Sequence, residues 1–63
     1  REPILWTIVG KKGKALDDIG PGKEGFVMVE GEYWRAVSDE EIRKGEAIVV
    51  VAKEGPVLRV KRA

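Results

Sequence analysis

Lys23-Glu24-Gly25-Phe26-Val27-Met28-Val29-Glu30-Gly31-Glu32-Tyr33-Trp34-Arg35-Ala36-Val37 is the stretch that decides the fold. It reads as two strands, Lys23 to Glu30 and Glu32 to Val37, meeting at Glu30-Gly31. An X-Gly pair at the centre of a two-residue turn favours the primed turn types, whose twist matches that of the flanking strands. With the turn centred there, Val29 opposes Glu32, Met28 opposes Tyr33, Val27 opposes Trp34 and Phe26 opposes Arg35. Side chains alternate between the two faces of a strand. Val27, Val29, Trp34 and Ala36 therefore share one face, and Phe26, Met28, Tyr33 and Arg35 share the other. The first set is the core face. A register slip of one residue would exchange the two sets.

Outward from this hairpin the punctuation is regular. Glycines at 10, 13, 20, 22, 25, 31, 45 and 55 suit short strands joined by turns. Lys11 to Asp17 reads as a first strand, with Gly13 as a bulge or a barrel bend. Asp18 to Gly22 is a loop. Ser38 to Lys44 reads as a short helical turn, with Ser38 as N-cap and Glu41 at the capping-box spacing. Glu46 to Lys53 is a fourth strand, Glu54-Gly55 a tight turn, and Pro56 to Lys61 a fifth strand. Five strands in so short a chain must close to protect their edges. The expected fold is an all-β, five-stranded OB-fold Greek-key barrel with a short helical turn between strands three and four. An SH3-like barrel is the competitor, and the position of the helical turn favours the OB arrangement. Leu58 and Val60 join Ile48 and Val50 inside, with Ile19 and Ile42 as plugs at the barrel ends. Residues 1–9 form a linker, an extra strand or a docking segment, and residues 10–63 form the barrel domain.

The chain has 63 residues, with 12 Lys and Arg against 11 Asp and Glu. A chain near 60 residues buries only about 60% of its unfolded surface. Small scaffolds usually need staples, yet Cys and His are both absent. Packing must hold the core, and Val and Ile supply it. A net charge of +1 argues against a dedicated nucleic-acid binder, which carries a basic excess on one face. Asn and Gln are also absent while Lys, Arg and Glu abound, a pattern that fits a hyperthermophile. The longest apolar stretch, Ala47 to Ala52, is far short of the roughly 20 residues a membrane span needs. The chain opens on Arg1 rather than Met, and an upstream segment is expected.

Little in the sequence could carry catalysis. An enzyme site needs a nucleophile, a base or a metal. Besides Tyr33, the only hydroxyls are Thr7 and Ser38, and Ser38 reads as a cap. Asp17 and Asp18 are neighbours on a strand and point apart. Asp39, Glu40 and Glu41 fall in the first turn of the expected helical segment, where they complement its dipole. Gly20-Pro21-Gly22-Lys23 lacks P-loop spacing and precedes a strand, so it reads as a turn. No cofactor and no metal site is expected. Lys11, Lys12 and Lys14 form a small basic cluster. It is either a solvated edge or, beside an upstream anchor, a site facing anionic lipid.

The outward set of the hairpin is the candidate site. Aromatics, Met and Arg are enriched at protein interfaces, and Phe26, Met28, Tyr33 and Arg35 would lie together. The structural alternative is that they are cross-strand pairs, with Phe26 covered by the N-terminal segment. Three functional readings follow: a protein-interaction module, a single-strand nucleic-acid binder that stacks bases on this face, and a spacer or oligomerisation element. Acids spread evenly along the chain leave the second reading without a basic groove.

From Gly10 to Val60 the chain resembles the C-terminal soluble domain of the NfeD family. The resemblance rests on Gly10-x-x-Gly13-x-Ala15, then Pro21-x-x-x-Gly25, then x-Val27-x-Val29-x-Gly31-Glu32-x-Trp34-x-Ala36. Ile42-x-x-Gly45, the valine-rich strand and Gly55-x-x-Leu58-x-Val60 complete it. It covers about four-fifths of the chain. The departures are Gly20 before Pro21, where the family has Leu, Arg or Lys, and Phe26 after Gly25. The resemblance implies an OB-fold domain that follows transmembrane helices, on the cytoplasmic side. It implies a stomatin-like (SPFH) protein as partner. Longer members carry an N-terminal serine protease domain, and nothing matching its Ser and Lys pair is present in this chain. The family's OB domain is described as lacking a typical oligonucleotide-binding surface. The expected function is therefore a non-catalytic interaction module, anchored to the membrane through a segment outside this chain.

Overall fold

In a computed structural model, residues 8–63 are described. The expected linker, strand or docking role of residues 1–7, including any cover over Phe26, lies outside the described residues. Five strands follow one another along the chain: β1 (Lys12–Ala15), β2 (Gly25–Val29), β3 (Glu32–Val37), β4 (Ala47–Glu54) and β5 (Val57–Arg62). They close into a barrel in the order β1-β2-β3-β5-β4. Every pairing is antiparallel except β3 with β5. This is the Greek-key closure expected of the OB-fold, and it leaves no open edge among the described strands.

The deciding hairpin has the register its turn dictates, with Phe26 opposite Arg35, Val27 opposite Trp34 and Met28 opposite Tyr33. Glu30 and Gly31 both take positive φ, at 54° and 77°, as a type I′ turn requires. Val27, Val29 and Ala36 are fully buried from this hairpin, Ile48 and Val50 from β4, and Leu58 and Val60 from β5. Trp34 packs against that core, partly buried. Ile19 and Ile42 close one end of the barrel by bridging to each other, with N–H to C=O bonds of 2.9 and 2.8 Å in the two directions. Ile8 joins the same core.

β1 must approach β2 closely to close the ring. A Cβ at Gly13 would collide with the Met28 carbonyl and lie 2.7 Å from a Val29 methyl. Gly13 thus serves close approach of two backbones. β1 ends at Ala15, short of the expected Asp17, because Asp17 enters the ladder through its side chain. Its Oδ2 accepts the Phe26 N–H at 2.9 Å.

Two expectations need correction. The helical turn over Ser38 to Lys44 is not formed. A helix would direct the Ile42 N–H to the Ser38 carbonyl, but it donates to the Ile19 carbonyl at 2.8 Å. The Lys44 N–H donates to Asp18 Oδ1 at 2.8 Å. Ser38 caps no helix: its buried hydroxyl oxygen accepts the Glu40 N–H at 3.1 Å, a local turn. Long-range bonds from the Ile19 loop thus hold the segment irregular. The second correction is the last turn, which is centred on Gly55-Pro56 rather than Glu54-Gly55, since Glu54 pairs with Val57. Gly55, at φ +65°, takes the first central position, where a type II′ turn places glycine. A bulge at Val51 restores the alternation, so Leu58 and Val60 still point inward.

Candidate partner-binding face

The type I′ turn and the core face together aim Phe26, Met28, Tyr33 and Arg35 outward. Tyr33 is 71% exposed and Phe26 42% exposed. Met28 is half-buried and Arg35 is exposed. The four residues therefore form one surface on adjacent strands, as the alternation predicts. The Arg35 guanidinium carbon lies 5.7 Å from the centroid of the Phe26 ring, within cation–π range. Its Nε lies 3.6 Å from Glu24 Oε1. Phe26 and Arg35 line a shallow, open depression with Asp17, Glu24 and Gly25. The alternation over the expected strand places Glu24, two before Phe26, on this face, but it does not reveal Asp17, which reaches it through a bond across nine positions.

Trp34, on the opposite face, meets Lys53, whose ammonium lies 5.6 Å from a ring centroid. The Trp34 Nε1 is buried without a hydrogen-bond partner among the described residues. Trp34 is a core side chain rather than part of the outer face.

Several of the other charged groups do structural work. Arg59 bonds Glu54 Oε2 at 2.8 Å and Asp39 Oδ1 at 2.9 Å, tying the Ser38 loop to β4 and β5. The Arg59 hydrogen bond holds the Glu54 carboxyl below its ordinary value of 4.5. Glu54, by bond and by charge, raises the Arg59 guanidinium in turn. Asp18 lies below its ordinary 3.8, chiefly through the Lys44 backbone N–H, with Lys23, Arg43 and Lys44 adding positive field. Glu40 Oε2 accepts the Arg62 N–H at 2.9 Å. Asp39 and Glu40 are therefore loop ties, not the helix-dipole partners expected. Among the described residues, no three His, Cys, Asp or Glu side chains are grouped to hold a metal ion. The outer face of β2 and β3 offers an aromatic platform, a thioether and a guanidinium, which is the chemistry of contact.

Comparison with known proteins bears on the fold and the family. Residues 7–62 match the model of the family described as the NfeD-like C-terminal, partner-binding domain. An uncharacterized protein of Methanocaldococcus jannaschii is 33% identical over 54 residues, which is 86% of this chain and 39% of that relative. The chain thus spans well under half the length of that relative. Among solved structures, the C-terminal domain of stomatin operon partner protein 1510-C from Pyrococcus horikoshii superposes with a TM-score of 0.81 at 33% identity. That match covers 92% of this chain and 91% of that one. The soluble domain of a Corynebacterium glutamicum membrane protein implicated in regulation of membrane protease activity gives 0.82 at 27% identity, over 90% and 94%. The soluble domain of the NfeD protein YuaF from Bacillus subtilis gives 0.75 at 29%, over 84% and 70%. By sequence and by fold, the chain belongs to the NfeD-like C-terminal, partner-binding domain family.

Proposed function

We propose that this chain is the non-catalytic docking domain of a membrane-anchored NfeD-like protein, and that it binds a stomatin-like (SPFH) protein through Phe26, Met28, Tyr33 and Arg35. The observation that carries the reading is the outward exposure of two aromatic side chains, Tyr33 and Phe26, on the same face of β2 and β3. Aromatic and Arg anchors dominate the energy of protein interfaces. The Pyrococcus horikoshii relative is named a stomatin operon partner, which supports the choice of partner class. Two other relatives are soluble domains of membrane proteins or of an NfeD protein, which supports an anchor elsewhere in the full protein. We place the domain on the cytoplasmic side.

The test is an amide-shift titration of this domain with the soluble region of a stomatin-like protein. The expected result is shifts confined to residues 26–28 and 33–35, lost in the Tyr33→Ala/Arg35→Glu double variant. Shifts confined to another face, or unchanged affinity in the double variant, would overturn the assignment of this face.

A further inference from the structure

The outer face does not stop at β2. Lys14 of β1 pairs with Met28, and Met28 pairs with Tyr33, so the three lie in one row across adjacent strands. At about 4.8 Å between strands, the row from Lys14 to Tyr33 spans about 10 Å. Lys12, two positions earlier on β1, is exposed on the same side, about 7 Å along the strand. β1 is held by β2 on one side and β4 on the other, so this spacing is fixed.

Both lysines are electrostatically available. Neither Lys12 nor Lys14 has a carboxylate within salt-bridge distance among the described residues, whereas Lys11 and Arg35 do. The cause is how the fold uses its acids. Asp17, Asp18, Glu40 and Glu46 each accept a backbone N–H. Asp39 and Glu54 both hold Arg59. Glu30 and Glu24, the acids nearest this face, are engaged by Lys11 and Arg35, so Lys12 and Lys14 are left without an ion pair. A net charge of +1 therefore conceals a face with two uncompensated cations beside an exposed Tyr and a half-buried Met.

We propose that this face receives an extended, acidic protein segment carrying an aromatic or large apolar side chain. Lys12 and Lys14 take two of its carboxylates, and Met28 and Tyr33 take the apolar group. In an extended segment, residues two apart project to the same side with a spacing of about 7 Å, the spacing of the two lysines. Charge complementarity of this kind speeds association and selects the partner. The inference deepens the docking reading and rests on it for the location of the face, while adding β1 and the chemistry of the ligand.

The probe is a short capped peptide of glutamate and serine with one central tryptophan, compared with its glutamine counterpart. The readout is amide shifts and affinity at low and high salt. The expected result is shifts at Lys12 to Lys14, Met28 and Tyr33 with the glutamate peptide, weakening with salt. Affinity should fall at least about tenfold in the Lys12→Glu/Lys14→Glu variant. That variant alters two exposed side chains, and an unchanged thermal melt confirms its fold. Equal binding of the glutamine peptide overturns the inference. So does stronger binding of an oligo-dT strand or of phosphatidylserine vesicles, which would assign the face to a nucleic acid or a lipid surface. The soluble region of a stomatin-like protein separates this inference from the docking reading. Binding that survives Lys12→Glu/Lys14→Glu but not Tyr33→Ala/Arg35→Glu sinks the acidic segment alone. Binding of the acidic peptide without binding of the stomatin-like region sinks the choice of partner alone.

Discussion

Replacing Ile42 by Ala tests the account of the loop that takes the place of the expected helical turn. Ile42 is 1% exposed and closes the barrel end against Ile19. The substitution removes three carbons, worth about 2.4 kcal/mol of transfer at about 0.8 per methylene. The void they leave raises the loss to about 3 kcal/mol, within the range seen for Ile→Ala in cores. The whole domain, at 63 residues, is worth roughly 3–9 kcal/mol. The variant should therefore lose a third or more of its stability, and its Tm should drop by about 20 °C. Ile42→Val should lose about 1 kcal/mol. Val51→Ala, at a 40% exposed bulge position, should lose under about 1 kcal/mol. Urea melts followed by circular dichroism and Trp fluorescence give all three values. A helix over Ser38 to Lys44 would predict the opposite sign from local preference, since Ala is the better helix former. An Ile42→Ala loss no larger than that of Val51→Ala would refute the reasoning that Ile42 plugs the barrel.

Gly13→Ala should cost at least about 2 kcal/mol, because the added methyl meets the Met28 backbone carbonyl rather than a side chain that can move. The same urea melts check it. Glu30→Asn should stabilise by about 0.5–1 kcal/mol, since Glu30 sits at φ 54° and Asn tolerates that region better. A lowered melting temperature would count against that turn assignment. Tyr33→Ala/Arg35→Glu should leave the thermal melt almost unchanged, both residues being exposed, and should abolish partner shifts. Asp18 and Glu54 are depressed in the fold, so the stability they contribute is present above their ordinary values of 3.8 and 4.5. It is lost as pH falls below those values and through the lower folded ones. Asp18→Asn should flatten that acid slope, and an unchanged slope in a pH series of melts would remove Asp18 as a contributor.

The hairpin was legible because its information is local. Glu30-Gly31 fixes a turn, the turn fixes a register, and alternation then assigns every side chain to a face. Ile19 and Ile42 were legible as plugs because isolated isoleucines in otherwise polar loops have nowhere else to go. What misled was local signal competing with distant bonds. Ser38 and Glu41 stand at capping-box spacing, but the Ile42 N–H is claimed by a carbonyl 23 positions earlier. Asp17 behaves as a backbone group through its carboxylate, and no periodicity marks that. The expected Glu54-Gly55 turn lies one position early, because Pro56 suits the start of a strand as well as the second position of a turn. The site was legible as a face, and its extension onto β1 became visible only with the pairing of Lys14 to Met28.

That extension bears on how charge should be read. Twelve bases against eleven acids argues against an anionic partner only if both signs are equally free at the surface. They are not free equally here, because Asp17, Asp18, Glu40 and Glu46 each accept a backbone N–H, while among the lysines of the described residues only Lys53 bonds the backbone, donating to the Gly55 carbonyl. Wherever a small barrel ties down irregular loops with Asp and Glu, as at Asp18 with Lys44 and Glu40 with Arg62, it withdraws negative charge from recognition. Lys12 and Lys14 on β1 have no such employment. A near-neutral domain of this construction thus presents more positive surface than its composition implies. Acidification sharpens the point, because a free acidic ligand loses its charge at ordinary carboxylate values while Asp18 and Glu54 are held below theirs. Binding of an acidic segment should therefore fail at or before the pH where the fold weakens. Salt at neutral pH, which screens Lys12 and Lys14 while leaving the short loop bonds in place, is the perturbation that separates recognition from stability.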